Sequence, residues 1–321
     1  MSKMIDRNSG GVFIIAITPF NDVGAVDKLS TDRLVDYYLD SGVSGITILG
    51  MMGEANKLSL DESNLFVSQV IKRVNGKIPV VVGVSSPGIN TLQALTRHSM
   101  DSGAGGVMVA PASGLNTEQK ILSYFDMVCS HLGPDVPICY QDFPQTTNVH
   151  ISVPTIVKLA TDFSQIVMFK HEDWPGLNKL TALRQSSEVK GIPRLSILVG
   201  NAALFLPQEL QRGADGAMTG FAYPEMLVAV EGLHREGKID EAENIFDAFL
   251  PLIRYEQQIG IGMSLRKEIL YRKKVIDSPF VRMPRTVLSG IDQTELSRLM
   301  SRLESRLVQT GLDIILENYG I

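Results

Sequence analysis

Short apolar runs rich in β-branched residues recur along this chain, each followed by a segment of helical period, and eight such pairs can be counted before the pattern stops. A strand that is apolar on both faces needs cover on both, which is the condition of a parallel sheet wrapped by helices. The expected strands are Val12–Thr18, Ile46–Leu49, Val80–Gly83, Val107–Ala110, Ile138–Tyr140, Ile166–Lys170, Ile197–Gly200 and Gly216–Thr219. Helices are expected between them, among them Asp32–Ser41, Asp61–Asn75, Thr91–Ser102, Glu118–His131 and Val153–Asp162. Ser59 and Glu62 have the spacing of a capping box and place a helix start just after Leu58.

A weak internal repeat supports a barrel over an open sheet. Gly42-Val-Ser-Gly45, Gly103-Ala-Gly-Gly106 and Gly213-Ala-Asp-Gly216 each have the form of a helix-ending glycine, a short turn and a strand start. A unit repeated this way favours an α/β architecture of the (β/α)8 TIM barrel type over an open sheet. After Gly237 no further strand is expected, and Asp240–Ile259, Ser264–Lys274 and Gln293–Gln309 carry helical stripes. The expected division is a barrel over residues 1–237 and a C-terminal helical extension over residues 238–321 packed on it.

Of 321 residues, 44% are hydrophobic and 20% charged, enough to bury a core and inconsistent with disorder. The net charge of −5 comes from interspersed residues, and no Lys/Arg block forms a patch for a phosphate backbone, so nucleic acid is not an expected partner. The first residues lack the apolar core of a signal peptide, and no apolar run reaches the ~18 residues that span a bilayer. The expected location is cytoplasmic, with no membrane partner. Two cysteines, Cys129 and Cys139, match no metal-binding spacing and fit small buried hydrophobes.

In a (β/α)8 barrel the chemistry sits at the C-terminal ends of the strands. Lys170 ends the apolar run Ile-Val-Met-Phe-Lys, where partial desolvation would favour the free amine that attacks a ketone; a lysine snorkelling to solvent is the alternative. Tyr140 ends the preceding strand as either a proton carrier or a half-buried structural residue. Gly50-Met51-Met52-Gly53-Glu54 follows the second strand and is either a tight turn or a set of exposed amides that hold a carboxylate. His171, Glu172 and Asp173 are consecutive, which disfavours convergence on one metal ion and suggests a rim loop. No metal site is expected.

In order and separation these segments resemble the dihydrodipicolinate synthase/N-acetylneuraminate lyase family over nearly the whole chain. That family has a Gly-Thr-Thr-Gly-Glu turn after strand two, a Tyr-Asn-x-Pro segment ending strand five, and a lysine ending strand six. The counterparts here are Gly50–Glu54, Tyr140-Gln141-Asp142-Phe143-Pro144 and Phe169-Lys170. The resemblance implies a Schiff base on Lys170, proton transfer by Tyr140, and a 2-oxo acid carboxylate seated by the Gly50–Glu54 turn. It also implies pocket-lining backbone at Gly200 and Met218, no cofactor besides the imine, and a homodimer or homotetramer.

Three departures accompany it. The turn threonines are Met51 and Met52, which offer no O–H donor. A tyrosine that relatives carry after strand four is replaced by Pro111-Ala112-Ser113, and Thr146 stands where the synthase has an arginine. The expected activity is therefore a class I lyase that cleaves an aldol of a 2-oxo acid or dehydrates a 2-oxo-3-deoxy acid. The alternatives are the synthase itself and a non-catalytic binder of 2-oxo acids. A substrate other than aspartate semialdehyde, with a less anionic tail, is expected.

Overall fold

A computed structural model describes residues 3–313. The eight strands β1 (Gly11–Ile15), β2 (Gly45–Ile48), β3 (Val80–Gly83), β4 (Gly106–Val109), β5 (Ile138–Asp142), β6 (Ile166–His171), β7 (Ser196–Val199) and β8 (Gly216–Thr219) pair in sequence order. All pairs are parallel, and β8 closes on β1 with Gly11 opposite Gly216. The chain is a (β/α)8 barrel, as the alternation of runs implies. β1 lies earlier than expected, ending at Ile15 rather than Thr18, while β5 and β6 run one or two residues further than expected.

Around the barrel lie α1 (Lys28–Asp40), α2 (Leu60–Val74), α3 (Ile89–Ser102), α4 (Glu118–Leu132), the single turn α5 (Pro144–Thr147), α6 (Val153–Asp162), α7 (Leu177–Ser186), α8 (Leu206–Gln211) and α9 (Pro224–Arg235). Ser59 and Glu62 form the capping box at the start of α2, exchanging hydrogen bonds of 2.9 and 3.1 Å. Gly42, Gly103 and Gly213 all have positive φ, as glycines that end helices do.

The two faces of each strand enter separate cores. Phe13, Val81, Met108, Cys139, Met168 and Met218 fill the barrel interior. A larger cluster between strands and helices takes the alternate residues, such as Ile46, Val107, Ile138 and Phe169. Both cysteines are free and buried.

Among the described residues the last three helices are α10 (Ile239–Glu256), α11 (Gly262–Arg272) and α12 (Gly290–Thr310). α10 packs along α9, and α11 and α12 pack on α10. α11 is unusual in that Ser264 through Leu270 are all buried. It carries Arg266 and Lys267 inside the protein rather than on its surface. Among the described residues no helix is long and apolar enough to cross a membrane.

Candidate active site

Alternation along β5 and β6 decides which side chains reach the barrel mouth. Gln141 is paired with Lys170, and Tyr140 with Phe169. Successive side chains leave a strand on opposite faces, so Gln141 and Lys170 point inward while Tyr140 and Phe169 point toward the helices.

Lys170 is 5% exposed, and its Nζ lies 2.8 Å from Glu172 Oε2. Gln141 Nε2 donates to the same oxygen at 2.8 Å. Glu172 reaches this position because residue 200 is glycine: a Cβ there would fall 2.3 Å from Glu172 Cγ. The group opens on a cavity of about 100 Å³ bordered by Ile15, Met51, Met52, Phe143, Thr219 and Arg266, with Asn201 also on its wall. One amine, one guanidinium, one carboxylate and neutral amide donors thus face a space that fits a small organic acid.

Tyr140 does not join them, which corrects its expected place beside Lys170. Its ring stacks between Phe125 and Phe169 at centroid distances of 4.7 and 5.5 Å. Among the described residues the phenol has no hydrogen-bond partner, and burial, reinforced by the Asp142 charge, pushes its pKa well above the ordinary value. A hydroxyl on the outer face of the barrel wall cannot exchange protons with a group on the inner face.

The Gly50–Glu54 turn divides between two tasks. Met51 and Met52 line the cavity. Gly50 and Gly53 shape the backbone, and Gly53 C=O accepts a 2.6 Å hydrogen bond from Thr18 Oγ1. Glu54 turns away in a left-handed conformation, φ 54°. Its carboxylate lies 2.6 Å from Lys267 Nζ and 2.9 Å from Lys57 Nζ and accepts from the Arg282 amide. Glu54 therefore fastens the turn to the C-terminal segment instead of lining the cavity.

Met218 likewise sits deeper than expected, in the barrel interior with its Sδ 3.9 Å from Cys139 Sγ; Thr219 and Gly220 border the cavity in its place. Ser113 and Thr146 are exposed and outside the cavity wall. His171, Glu172 and Asp173 face three directions: His171 Nε2 donates to Gly176 C=O, Glu172 meets Lys170, and Asp173 meets Lys179. Among the described residues no three His, Cys, Asp or Glu side chains are grouped to hold a metal ion. Sequence reasoning missed Gln141, Glu172 and Arg266 as residues of this cavity.

Comparison with known proteins gives a consistent picture. A family model described as the dihydrodipicolinate synthetase family matches residues 8–303. The L-2-keto-3-deoxyarabonate dehydratase of Azospirillum brasilense is 29% identical over 298 residues, 92% of this chain and 94% of that protein. The 4-hydroxy-tetrahydrodipicolinate synthase of Porphyromonas gingivalis is 28% identical over 302 residues, 92% and 98% of the two chains. The crystal structure of dihydrodipicolinate synthase from Rhodopseudomonas palustris superposes with a TM-score of 0.92 at 44% identity, covering 94% of this chain and all of that one.

Proposed function

Because this chain belongs to the dihydrodipicolinate synthetase family, which includes lyases and dehydratases, we propose that it dehydrates a hydroxylated 2-oxo-3-deoxy acid through an imine on Lys170. The observation that carries the reading is the buried contact between Lys170 Nζ and Glu172 Oε2. A buried ion pair is a weak stabiliser because desolvation offsets most of its attraction, so folding alone gives little reason for it. An amine beside a carboxylate at a barrel mouth is instead a nucleophile beside its proton carrier.

The steps use these groups alone. Glu172 takes a proton from the Lys170 ammonium, and the free amine adds to the C2 carbonyl. Glu172 then returns that proton to the carbinolamine hydroxyl, which leaves as water. With the iminium as electron sink, Glu172 removes a C3 proton, and the enamine expels the C4 hydroxyl, which leaves as water with the proton Glu172 holds. Tautomerisation and hydrolysis of the imine release product and amine. No further cofactor is needed.

The neutral wall of Gln141, Asn201 and Phe143 supports a hydroxylated rather than anionic tail. The similarity to a 2-keto-3-deoxyarabonate dehydratase over nearly its full length points the same way. Aldol cleavage shares the imine and differs only in the bond broken at C3–C4. The test is steady-state turnover of 2-oxo-3-deoxy pentonates and hexonates compared with condensation of pyruvate and aspartate semialdehyde. Efficient condensation together with no turnover of the sugar acids would overturn the proposal.

A further inference from the structure

Arg266 places a guanidinium almost wholly out of reach of bulk solvent. It belongs to buried α11, is 3% accessible, and borders the same cavity as Lys170. Its Nε donates to Glu256 Oε1 at 2.5 Å. Glu256 is itself 2% exposed and also accepts from the Ala222 amide. Nη1 has no acceptor among the described residues. An arginine carries five N–H donors in a fixed fork, and an unused buried donor costs about the desolvation of that group. The guanidinium is therefore held by one edge and under-used on another.

Its position is built. Residue 220, just beyond β8, is glycine, and a Cβ there would fall 2.0 Å from Arg266 Nη1, so only glycine admits the side chain. The neighbouring Lys267 pins the helix: its Nζ donates to Thr18 C=O, Phe280 C=O and Glu54 Oε1 at 2.6–2.9 Å. Glu54 ends the turn that carries Met51 and Met52, so one buried helix sets both Arg266 and that turn.

Among the described residues Lys170 and Arg266 are the two cations on the cavity wall, and Lys170 is already paired with Glu172. Met51 and Met52 bring no side-chain donor to the carboxylate seat that their turn suggests. A carboxylate entering this space meets one fork-shaped cation with donors to spare, the geometry that recognises carboxylates. We propose that Arg266, held by Glu256, binds the carboxylate adjacent to the reacting carbonyl of the 2-oxo acid. The proposal rests on the reading of Lys170 as the amine that meets that carbonyl, and it assigns the head-group selectivity of the site to the C-terminal helices rather than to the barrel loops.

The test uses the full chain, with pyruvate and its neutral methyl ester as probes. Arg266→Gln combined with Glu256→Gln replaces the ion pair by an amide pair and leaves no buried charge alone; Arg266→Lys keeps the charge and loses the fork. Thermal unfolding confirms that each variant is folded, and calorimetric titration gives the affinities. Loss of a charge-assisted contact should weaken pyruvate about 10–100-fold while changing the ester by less than about 3-fold, with Arg266→Lys intermediate. Equal losses for both probes, or an unchanged pyruvate affinity, would overturn the proposal.

Borohydride trapping separates this from the premise. A wild-type protein that binds pyruvate through Arg266 without forming a reducible adduct leaves the carboxylate site standing and removes the imine. Trapping that is equal in wild type and double variant at sub-saturating pyruvate removes the carboxylate site and keeps the imine. A protein that neither traps nor binds pyruvate removes both.

Discussion

Gln141 Nε2 and Lys170 Nζ converge on one oxygen, Glu172 Oε2, each at 2.8 Å. The amide fixes the carboxylate from one side while the amine meets it from another, so Glu172 is oriented before any substrate arrives. Glu172→Gln keeps the shape and removes the proton acceptor. Turnover should fall about 10²–10⁴-fold, the usual worth of a general acid–base group. Slow imine formation on Lys170 should survive, since the variant keeps the nucleophile itself. Stopped-flow and single-turnover rates separate the two, and a variant within about 3-fold of wild-type turnover would remove Glu172 from the mechanism.

Tyr140→Phe is expected to leave turnover within about 3-fold of wild type. The hydroxyl lies in the outer core without a partner among the described residues, and deleting an unsatisfied buried polar group is close to neutral or stabilising by up to about 1 kcal/mol. Steady-state assay and urea unfolding of the variant check both statements. A loss above about 100-fold in a folded variant would put the phenol back in the site.

The barrel and the lysine were legible in the sequence because each rests on a local signal. Eight apolar runs with helical spacers specify the architecture, and Lys170 ends one of them. Tyr140 differs from its expected place by a single step of a period-two pattern: the strand continues to Asp142, and its inward positions are Cys139 and Gln141. One residue of register exchanges the faces of a strand, and nothing local to Ile-Cys-Tyr-Gln-Asp reveals which face is inner. Glu172 reads in sequence as one of three consecutive rim residues, yet residues 170 and 172 share a face of an extended chain. Arg266 lies 96 residues beyond Lys170, and its route to the cavity depends on the packing of α11, which helical periodicity in a uniformly buried segment does not encode.

Glu209 on α8 gives a pH signature independent of the active site. Burial pushes its carboxyl up to about 8, and Oε2 has no partner among the described residues. Between the unfolded value of about 4.3 and 8 the folded chain holds a proton that the unfolded chain has released. The unfolded state then binds fewer protons, so stability falls as pH rises through that window and stays low above it. Glu209→Gln should remove the loss. Urea unfolding should show the variant equal to wild type near pH 4.5 and more stable by on the order of 1–4 kcal/mol at pH 8.5. A difference that does not change with pH would contradict this.

A homodimer or homotetramer is expected in solution. Val287 and Ile291 near the start of α12 are 71% and 72% exposed, apolar surface of the kind an assembly covers. Sedimentation at micromolar concentration should show multiples of the 35.2 kDa chain, whereas a single monomeric species would contradict it.

The most direct measurement of the central claim is covalent capture. Incubation with pyruvate and sodium borohydride, followed by intact mass and peptide mapping, should add one reduced pyruvyl group per chain on the peptide containing Lys170 and none on a Lys170→Ala variant. Absence of any adduct across a set of 2-oxo acids, or an adduct on a different lysine, would contradict the account.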